Sequence, residues 1–309
     1  MSSKNHIDVL VIGSGPGGYA AAFRAADLGR DVIIIDKDPT LGGVCLNRGC
    51  IPSKTLLHIA KVLEEADSLK KMGVSFTKPK IDIDAVRDWK SKVVTQLSVG
   101  IAQMAKARNV KTIQAEASFI SNNEVELNSD SGKQILTFDH CIIAAGSSSS
   151  AIPGIPKDNE NILTSKTALD LKKIPKKLLV IGGGYIGLEM GTVYSALGSS
   201  VSVAEFLPTL LPGADDDLVK PLARKLKKEF SNIHLSTKIT KVEPVKPNGL
   251  SVTMEKDGSS ITEKFDQVLV SVGRKPNTNK LGLENTKIKV DDFGFISVDK
   301  YQKPILIIF

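Results

Sequence analysis

Cys45 and Cys50 are the residues of this sequence most plainly suited to chemistry. They stand five apart in Gly42-Gly43-Val44-Cys45-Leu46-Asn47-Arg48-Gly49-Cys50-Ile51-Pro52-Ser53-Lys54. In a reducing compartment, two close cysteines more often ligate a metal or exchange electrons than brace a fold. A metal site would require two further ligands, and no second Cys or His pair lies nearby. Two unrelated buried thiols are the plain alternative. The sharper reading is a redox-active pair that exchanges with substrate through a thiolate. Cys141 stands apart, in the apolar run Cys141-Ile142-Ile143-Ala144-Ala145, and reads as a buried core thiol.

A redox pair needs a carrier for its electrons, and two glycine motifs supply the residues for one. Gly13-Ser14-Gly15-Pro16-Gly17-Gly18 follows an apolar run of strand length at 7–12 and leads into an Ala-rich helical stretch at 19–28. A second apolar run, 32–35, ends at Asp36, with Lys37 beside it. The design recurs in Gly182-Gly183-Gly184-Tyr185-Ile186-Gly187, set between the apolar run 178–181 and a helical stretch ending at Leu197. A further run, 201–204, then leads to Glu205. Twenty-one residues separate the middle glycine from the acid in both copies, and the two middle glycines are 169 residues apart. That spacing indicates duplication of a domain type rather than a short solenoid repeat.

The physics of these motifs is specific. Gly13 permits the tight turn, Gly15 lets the backbone approach a pyrophosphate, and Gly18 lets helix pack closely on strand. The helix N-terminus, opening at Pro16, offers N–H groups and a positive dipole end to the phosphates. Asp36 accepts hydrogen bonds from an adenosine ribose. Gly182, Gly184, Gly187 and Glu205 repeat these roles, with Tyr185 and Ile186 inside the second motif. Ordinary βα turns without a ligand are the alternative. Two dinucleotides with a hydride path between them point to FAD and NAD. Glu205 bonds a 2′-hydroxyl but repels a 2′-phosphate, and Phe206-Leu207-Pro208 supplies no Arg, so NAD is favoured over NADP.

These motifs must be carried by a chain of 309 residues, a length for about two domains. Its 41% apolar and 24% charged residues exclude disordered, collagen-like and disulfide-dense classes. No apolar run approaches the ~20 residues of a membrane helix, and the first eight residues lack the pattern of a signal peptide. No membrane partner is expected, and the expected location is the cytoplasm, or the mitochondrial matrix in a eukaryote. The net charge of +7 comes from scattered Lys and Arg with short clusters such as Lys172-Lys173-Ile174-Pro175-Lys176-Lys177. With aromatics at 5%, platforms for stacking bases are scarce, so no nucleic-acid partner is expected.

Helices are expected over 59–69 and 85–108. Short alternating segments at 118–120, 125–127 and 134–136 read as a small antiparallel unit. Residues 146–150 with Pro153 and Pro156 read as a linker. A second β-rich stretch covers 233–272, with Asp257-Gly258 as its hairpin turn.

The segment 42–54 is similar to the redox signature of the pyridine nucleotide–disulfide oxidoreductases, G-G-T-C-x-N-x-G-C-x-P-S-K. The stretch from Gly182 to Glu189 and Val270-Ser271-Val272-Gly273-Arg274-Lys275-Pro276-Asn277 support the resemblance, which runs over about residues 7–299. It implies an α/β fold of two Rossmann-like FAD/NAD(P)-binding domains with three-layer ββα character, without the family's C-terminal dimerisation domain. The expected organisation is an FAD-binding domain at 1–150, an NAD-binding domain at 151–275, and an incomplete return segment to the FAD domain at 276–309.

The resemblance also implies roles. Cys45 resembles the interchange thiol, Cys50 the thiol lying against the flavin, Lys54 the lysine near flavin N5 and Glu189 its ion-pair partner. A plain surface ion pair is the alternative for the last two. Gly43, Val44, Ala117, Gly146, Gly273 and Arg274 complete the implied cofactor contacts. Val44 replaces the family's Thr, and Ala144-Ala145-Gly146 stands for Ala-Thr-Gly, so each position loses one possible hydrogen bond. The implied reaction is NAD-linked oxidation of dihydrolipoamide carried by the lipoyl domain of a 2-oxo acid dehydrogenase complex, by a family that is homodimeric. Action on glutathione or mercuric ion, and a dinucleotide-binding fragment without turnover, remain alternatives. The terminal run 305–309 resembles the start of a returning strand. None of His6, His58, His140 and His234 is followed by Pro or has Glu five residues on, so none matches the family's acid/base and slow turnover is expected.

Overall fold

Apolar runs such as Leu178-Leu179-Val180-Ile181 leave no face for water, and they form central parallel strands buried on both sides. The computed structural model describes residues 5–156 and 158–304. The terminal run 305–309 lies outside the described residues.

In chain order the elements are β1 (Asn5–Ile12), α1 (Pro16–Asp27), β2 (Val32–Asp36), α2 (Gly43–Arg48), α3 (Cys50–Ser68) and α4 (Ile83–Ala107). Then come β3 (Lys111–Gln114), β4 (Glu116–Ser121), β5 (Glu124–Ser129), β6 (Gly132–Ile143) and β7 (Ser147–Ser149). The next block is β8 (Ile162–Leu163), α5 (Ser165–Ala168), β9 (Lys177–Ile181), α6 (Tyr185–Ala196), β10 (Ser200–Ala204) and α7 (Asp216–Glu229). The last are β11 (Asn232–His234), β12 (Lys238–Pro244), β13 (Leu250–Lys256), β14 (Ser259–Phe265), β15 (Gln267–Val270) and β16 (Arg274–Pro276).

The chain divides into two compact units. The first comprises Met1–Cys50, Val94–Ser148 and Arg274–Phe309; the second comprises Ile51–Val93 and Ser149–Gly273.

In the first unit a six-stranded sheet runs β3-β2-β1-β6-β5-β4. β3, β2, β1 and β6 are parallel, whereas β5 pairs antiparallel with both β6 and β4. The antiparallel segments are therefore not a separate unit. β6 is 12 residues long, so its first half completes the hairpin with β5 and its second half lies beside β1. The core of this unit includes Leu10, Ile35, Phe119, Val125, Leu136 and Phe138.

The second unit carries the parallel sheet β11-β10-β9-β15-β8 and the antiparallel sheet β12-β13-β14. One face of the parallel sheet packs against helical residues such as Leu188, Val193 and Tyr194. The other packs against Val242, Val252 and Phe265 of the antiparallel sheet. The β13–β14 turn is Asp257-Gly258, with φ of 50° and 77°, the positive pair that a tight hairpin needs.

Two expected boundaries move. α3 starts at Cys50 rather than at 59, because Pro52 falls in its first turn, where its missing N–H breaks no helical bond. The serine run expected as a linker forms β7, paired with β16.

Candidate active site

The first glycine loop is shaped by close contacts. Gly13 has φ +102°, and a Cβ there would lie 2.2 Å from the Ala144 carbonyl oxygen. A Cβ on Gly18 would lie 1.8 Å from the Gly13 oxygen, so only glycine lets α1 pack this closely on the turn. Gly15, by contrast, faces open space. It is the N-cap of α1, whose first helical residue is Pro16, and no side chain caps the helix. The first-turn N–H groups of α1 thus remain available to an anion.

Asp36, at the end of β2, closes this loop. Its Oδ2 accepts from the Ser14 backbone N–H at 2.7 Å and from the Ser14 hydroxyl at 2.6 Å, and its Oδ1 accepts from the Asp38 N–H at 2.9 Å. A carboxylate has about four acceptor positions, so capacity remains for a ribose hydroxyl. Lys37 is exposed beside it. A cleft of about 830 Å³ opens here, its lining including Asp36, Asp38, Lys106 and Gln114, a size suited to a small ligand.

The second loop repeats the construction. Gly182 has φ +104°, a Cβ on Gly187 would lie 2.4 Å from the Gly182 oxygen, and Gly184 faces open space as the uncapped start of α6. Tyr185 is exposed and Ile186 half-buried in the first turn of α6. Glu205 Oε2 accepts from the Gly183 N–H at 2.5 Å and Oε1 from the Leu207 N–H at 2.8 Å. In both loops the acid binds the N–H one residue before the middle glycine and the N–H two residues beyond itself. Each acid is therefore a brace of its loop as well as a candidate ribose ligand.

The cysteine segment lies directly on the first loop. A Cβ on Gly43 would lie 2.6 Å from the Gly15 Cα, and the Gly42 N–H donates to the Ser14 oxygen at 2.9 Å. Cys45 and Val44 are half-buried in α2, and Cys50 is exposed as the first residue of α3. The Asn47 amide donates to the Leu41 and Gly43 oxygens at 3.2 and 3.1 Å, closing the loop before α2 over its first turn. Arg48 forms an ion pair with Asp38.

In the second unit, Lys54 Nζ donates to Glu189 Oε1 at 2.6 Å, with the Lys54 side chain 57% exposed. So exposed a pair adds less than ~1 kcal/mol to stability, and its weight lies in where it holds the ammonium group.

Residues from distant parts of the sequence meet at Gly146. The Arg274 guanidinium donates to the Ser147 hydroxyl at 2.7 Å and also to the Ser147 carbonyl. The Asn277 amide donates to the Ala145 oxygen at 2.9 Å, its N–H donates to the Gly146 oxygen at 3.0 Å, and its Oδ1 accepts from the Ser148 hydroxyl at 2.7 Å. Gly146 and Gly273 both take positive φ, 68° and 117°. Ala117 lies on β4 with its side chain in the core of the first unit. Ser14, Asp38, Arg48 and Asn277 were not singled out from the sequence. Ser14 and Arg48 occupy variable places within their motifs, and the partners of Asp38 and Asn277 come from other segments.

Cys141 packs against the core of the first unit, and burial pushes its thiol up to about 12. At pH 8 its thiolate fraction falls by about 10³ relative to an ordinary thiol. Brief iodoacetamide treatment of the reduced chain at pH 8 is therefore expected to label Cys50 and spare Cys141, which peptide mass spectrometry reads directly.

Among the described residues no cluster of three or more His, Cys, Asp or Glu could hold a metal ion, and no helix is long and apolar enough to cross a membrane. The family model described as pyridine nucleotide-disulphide oxidoreductase matches residues 7–305. The chain is 49% identical over 304 residues to the dihydrolipoyl dehydrogenase of Vibrio cholerae, covering 98% of this chain and 64% of that protein. It is 47% identical to the dihydrolipoyl dehydrogenase of Haemophilus influenzae, covering 98% and 63%. A solved structure, the HOCl-induced flavoprotein disulfide reductase RclA from Escherichia coli, matches with a TM-score of 0.82 at 26% identity, over 97% of this chain and 64% of that one. The chain thus spans less than two thirds of the length of these relatives. Two braced glycine loops, a cysteine pair seated on the first of them and a family match over nearly the whole chain agree: the chain belongs to the pyridine nucleotide-disulphide oxidoreductases.

Proposed function

We propose that the first glycine loop binds FAD, that the second binds NAD, and that Cys45 and Cys50 form the redox-active pair of a dihydrolipoyl dehydrogenase. The observation that carries this reading is the packing of Gly43 on Gly15, which seats the cysteine helix against the loop that would hold the flavin nucleotide. Both loops fit a dinucleotide, since Gly15 and Gly184 leave open space before uncapped helices. When bound, FAD supplies a two-electron acceptor for the dithiol and NAD a hydride acceptor.

The protein's own part is thiol–disulfide exchange. A thiolate of dihydrolipoamide attacks Cys45 Sγ and the Cys45–Cys50 bond breaks, leaving Cys50 as a thiolate. The second substrate thiolate then attacks the sulfur bonded to Cys45 and releases it. The substrate loses two electrons and two protons to become lipoamide, and the pair gains the electrons. Lys54 supplies a positive charge that stabilises thiolate, with Glu189 fixing its position. The natural substrate would be the lipoyl domain of a 2-oxo acid dehydrogenase complex in the cytoplasm. The assignment of FAD to residues 1–150 and NAD to 151–275, with 276–309 returning to the FAD domain, belongs to the same reading.

Incubation of the purified chain with FAD is expected to give a yellow protein that gains long-wavelength absorbance on two-electron reduction. A chain that remains colourless overturns the reading. The carboxylate of Glu205 disfavours a 2′-phosphate, so NAD is expected to bind at least ~100-fold more tightly than NADP, an effect of about 3 kcal/mol. Equal affinities by calorimetry would contradict this role for Glu205.

A further inference from the structure

The cysteine helix α2 is held at its N-terminal end by Gly42 and Gly43 against the first glycine loop. Its other end is held differently. Arg48 is in the last turn of α2, followed by Gly49 and Cys50, and its guanidinium pairs with the Asp38 carboxylate. Both side chains are mostly buried, 28% and 24% exposed, so this pair is shielded better than a surface pair. Asp38 is itself placed by its N–H donating to Asp36, which takes the two Ser14 bonds. A continuous chain of charge-assisted bonds therefore runs from the glycine loop through Asp36 and Asp38 to the residue lying between the two cysteines.

We propose that Asp38 and Arg48 are positioning residues that fix the C-terminal end of α2 and so preset the approach of Cys45 to Cys50. The proposal rests on the reading of these cysteines as a redox pair. Gly49 has no side chain to restrain the link, and a Cβ there would lie 2.9 Å from the Val44 oxygen. With the clamp broken, α2 frays from its last turn, the dithiol state gains conformations and the disulfide is disfavoured relative to it.

The test is the equilibrium of the full chain with oxidised and reduced glutathione, read by alkylation and mass spectrometry. Each oxidation of the pair releases two thiol protons and two electrons, converting one oxidised glutathione into two reduced molecules. Arg48→Met and Asp38→Asn are each expected to lower the Cys45–Cys50 disulfide constant about tenfold, or ~30 mV in midpoint potential. Arg48→Lys is expected to restore most of it, and the double variant Arg48→Met/Asp38→Asn to be no worse than either single one. Thermal melting of the same samples separates a folding defect from a positioning one, and Asp38→Asn serves if Arg48→Met does not fold. A wild-type constant that Arg48→Met and Asp38→Asn leave within twofold overturns the clamp alone. A wild-type chain that forms no Cys45–Cys50 disulfide at any glutathione ratio overturns both the clamp and the redox-pair reading.

Discussion

Cys45→Ser and Cys50→Ser, made singly, are each expected to abolish the anaerobic oxidation of dihydrolipoamide that the disulfide form of the wild-type chain carries out, a loss of at least ~10⁴-fold. Exchange requires two sulfurs, one to be attacked and one to leave, and a serine hydroxyl can do neither near neutral pH. The wild-type chain should form one lipoamide per oxidised pair. Cys141→Ser is the control, because its thiol is pushed up to about 12 by burial and packs against the core. Exchange that survives in Cys45→Ser, or that vanishes in Cys141→Ser, would show that the reactive sulfurs have been misassigned.

The glycines divide into two kinds whose substitutions act in opposite ways. Gly18→Ala and Gly187→Ala place a Cβ 1.8 and 2.4 Å from backbone oxygens that belong to their own loops and cannot move independently. Each is expected to cost more than ~3 kcal/mol, a large share of the marginal stability of a domain. Gly15→Ala and Gly184→Ala meet nothing within 4 Å. They are expected to change stability by less than ~1 kcal/mol and to weaken dinucleotide binding at least ~10-fold, since the new methyl group occupies the space before the helix N-terminus. Urea unfolding and titration with FAD or NAD separate the two effects. A Gly18→Ala chain as stable as wild type would contradict the packing, and a Gly15→Ala chain that binds FAD as tightly as wild type would contradict the site.

The paired acids explain why the two loops look alike in sequence. A carboxylate twenty-one residues beyond the middle glycine returns along the neighbouring parallel strand to the same end of the sheet. There it meets the loop N–H groups, at Ser14 for Asp36 and at Gly183 for Glu205. The spacing is thus set by one strand–helix–strand crossover.

What could be read directly from the sequence is what depends on near neighbours in the chain. The glycine loops, their acids and the cysteine segment are each complete within about 25 residues, so residue type and spacing alone specify their geometry. The hairpin at Asp257-Gly258 is local in the same way.

Contacts between remote segments were decided by tertiary structure. Arg274 and Asn277 reach the turn at Ala145, Gly146 and Ser147 across more than 120 residues, turning a serine run expected as linker into a paired strand. β6 joins the antiparallel hairpin to the parallel sheet because its second half finds β1, more than 120 residues earlier. Lys54 meets Glu189 across 135 residues, a pairing that only the resemblance suggested in advance. Asp38 and Arg48 are only ten residues apart, yet neither stood out, since charged residues in a loop and at a helix end are ordinary on a solvated surface. Sequence marked the groups proposed to hold dinucleotides and exchange electrons. Folding decided which charges and amides fix those groups in place, because a side chain's partner depends on where the backbone brings it.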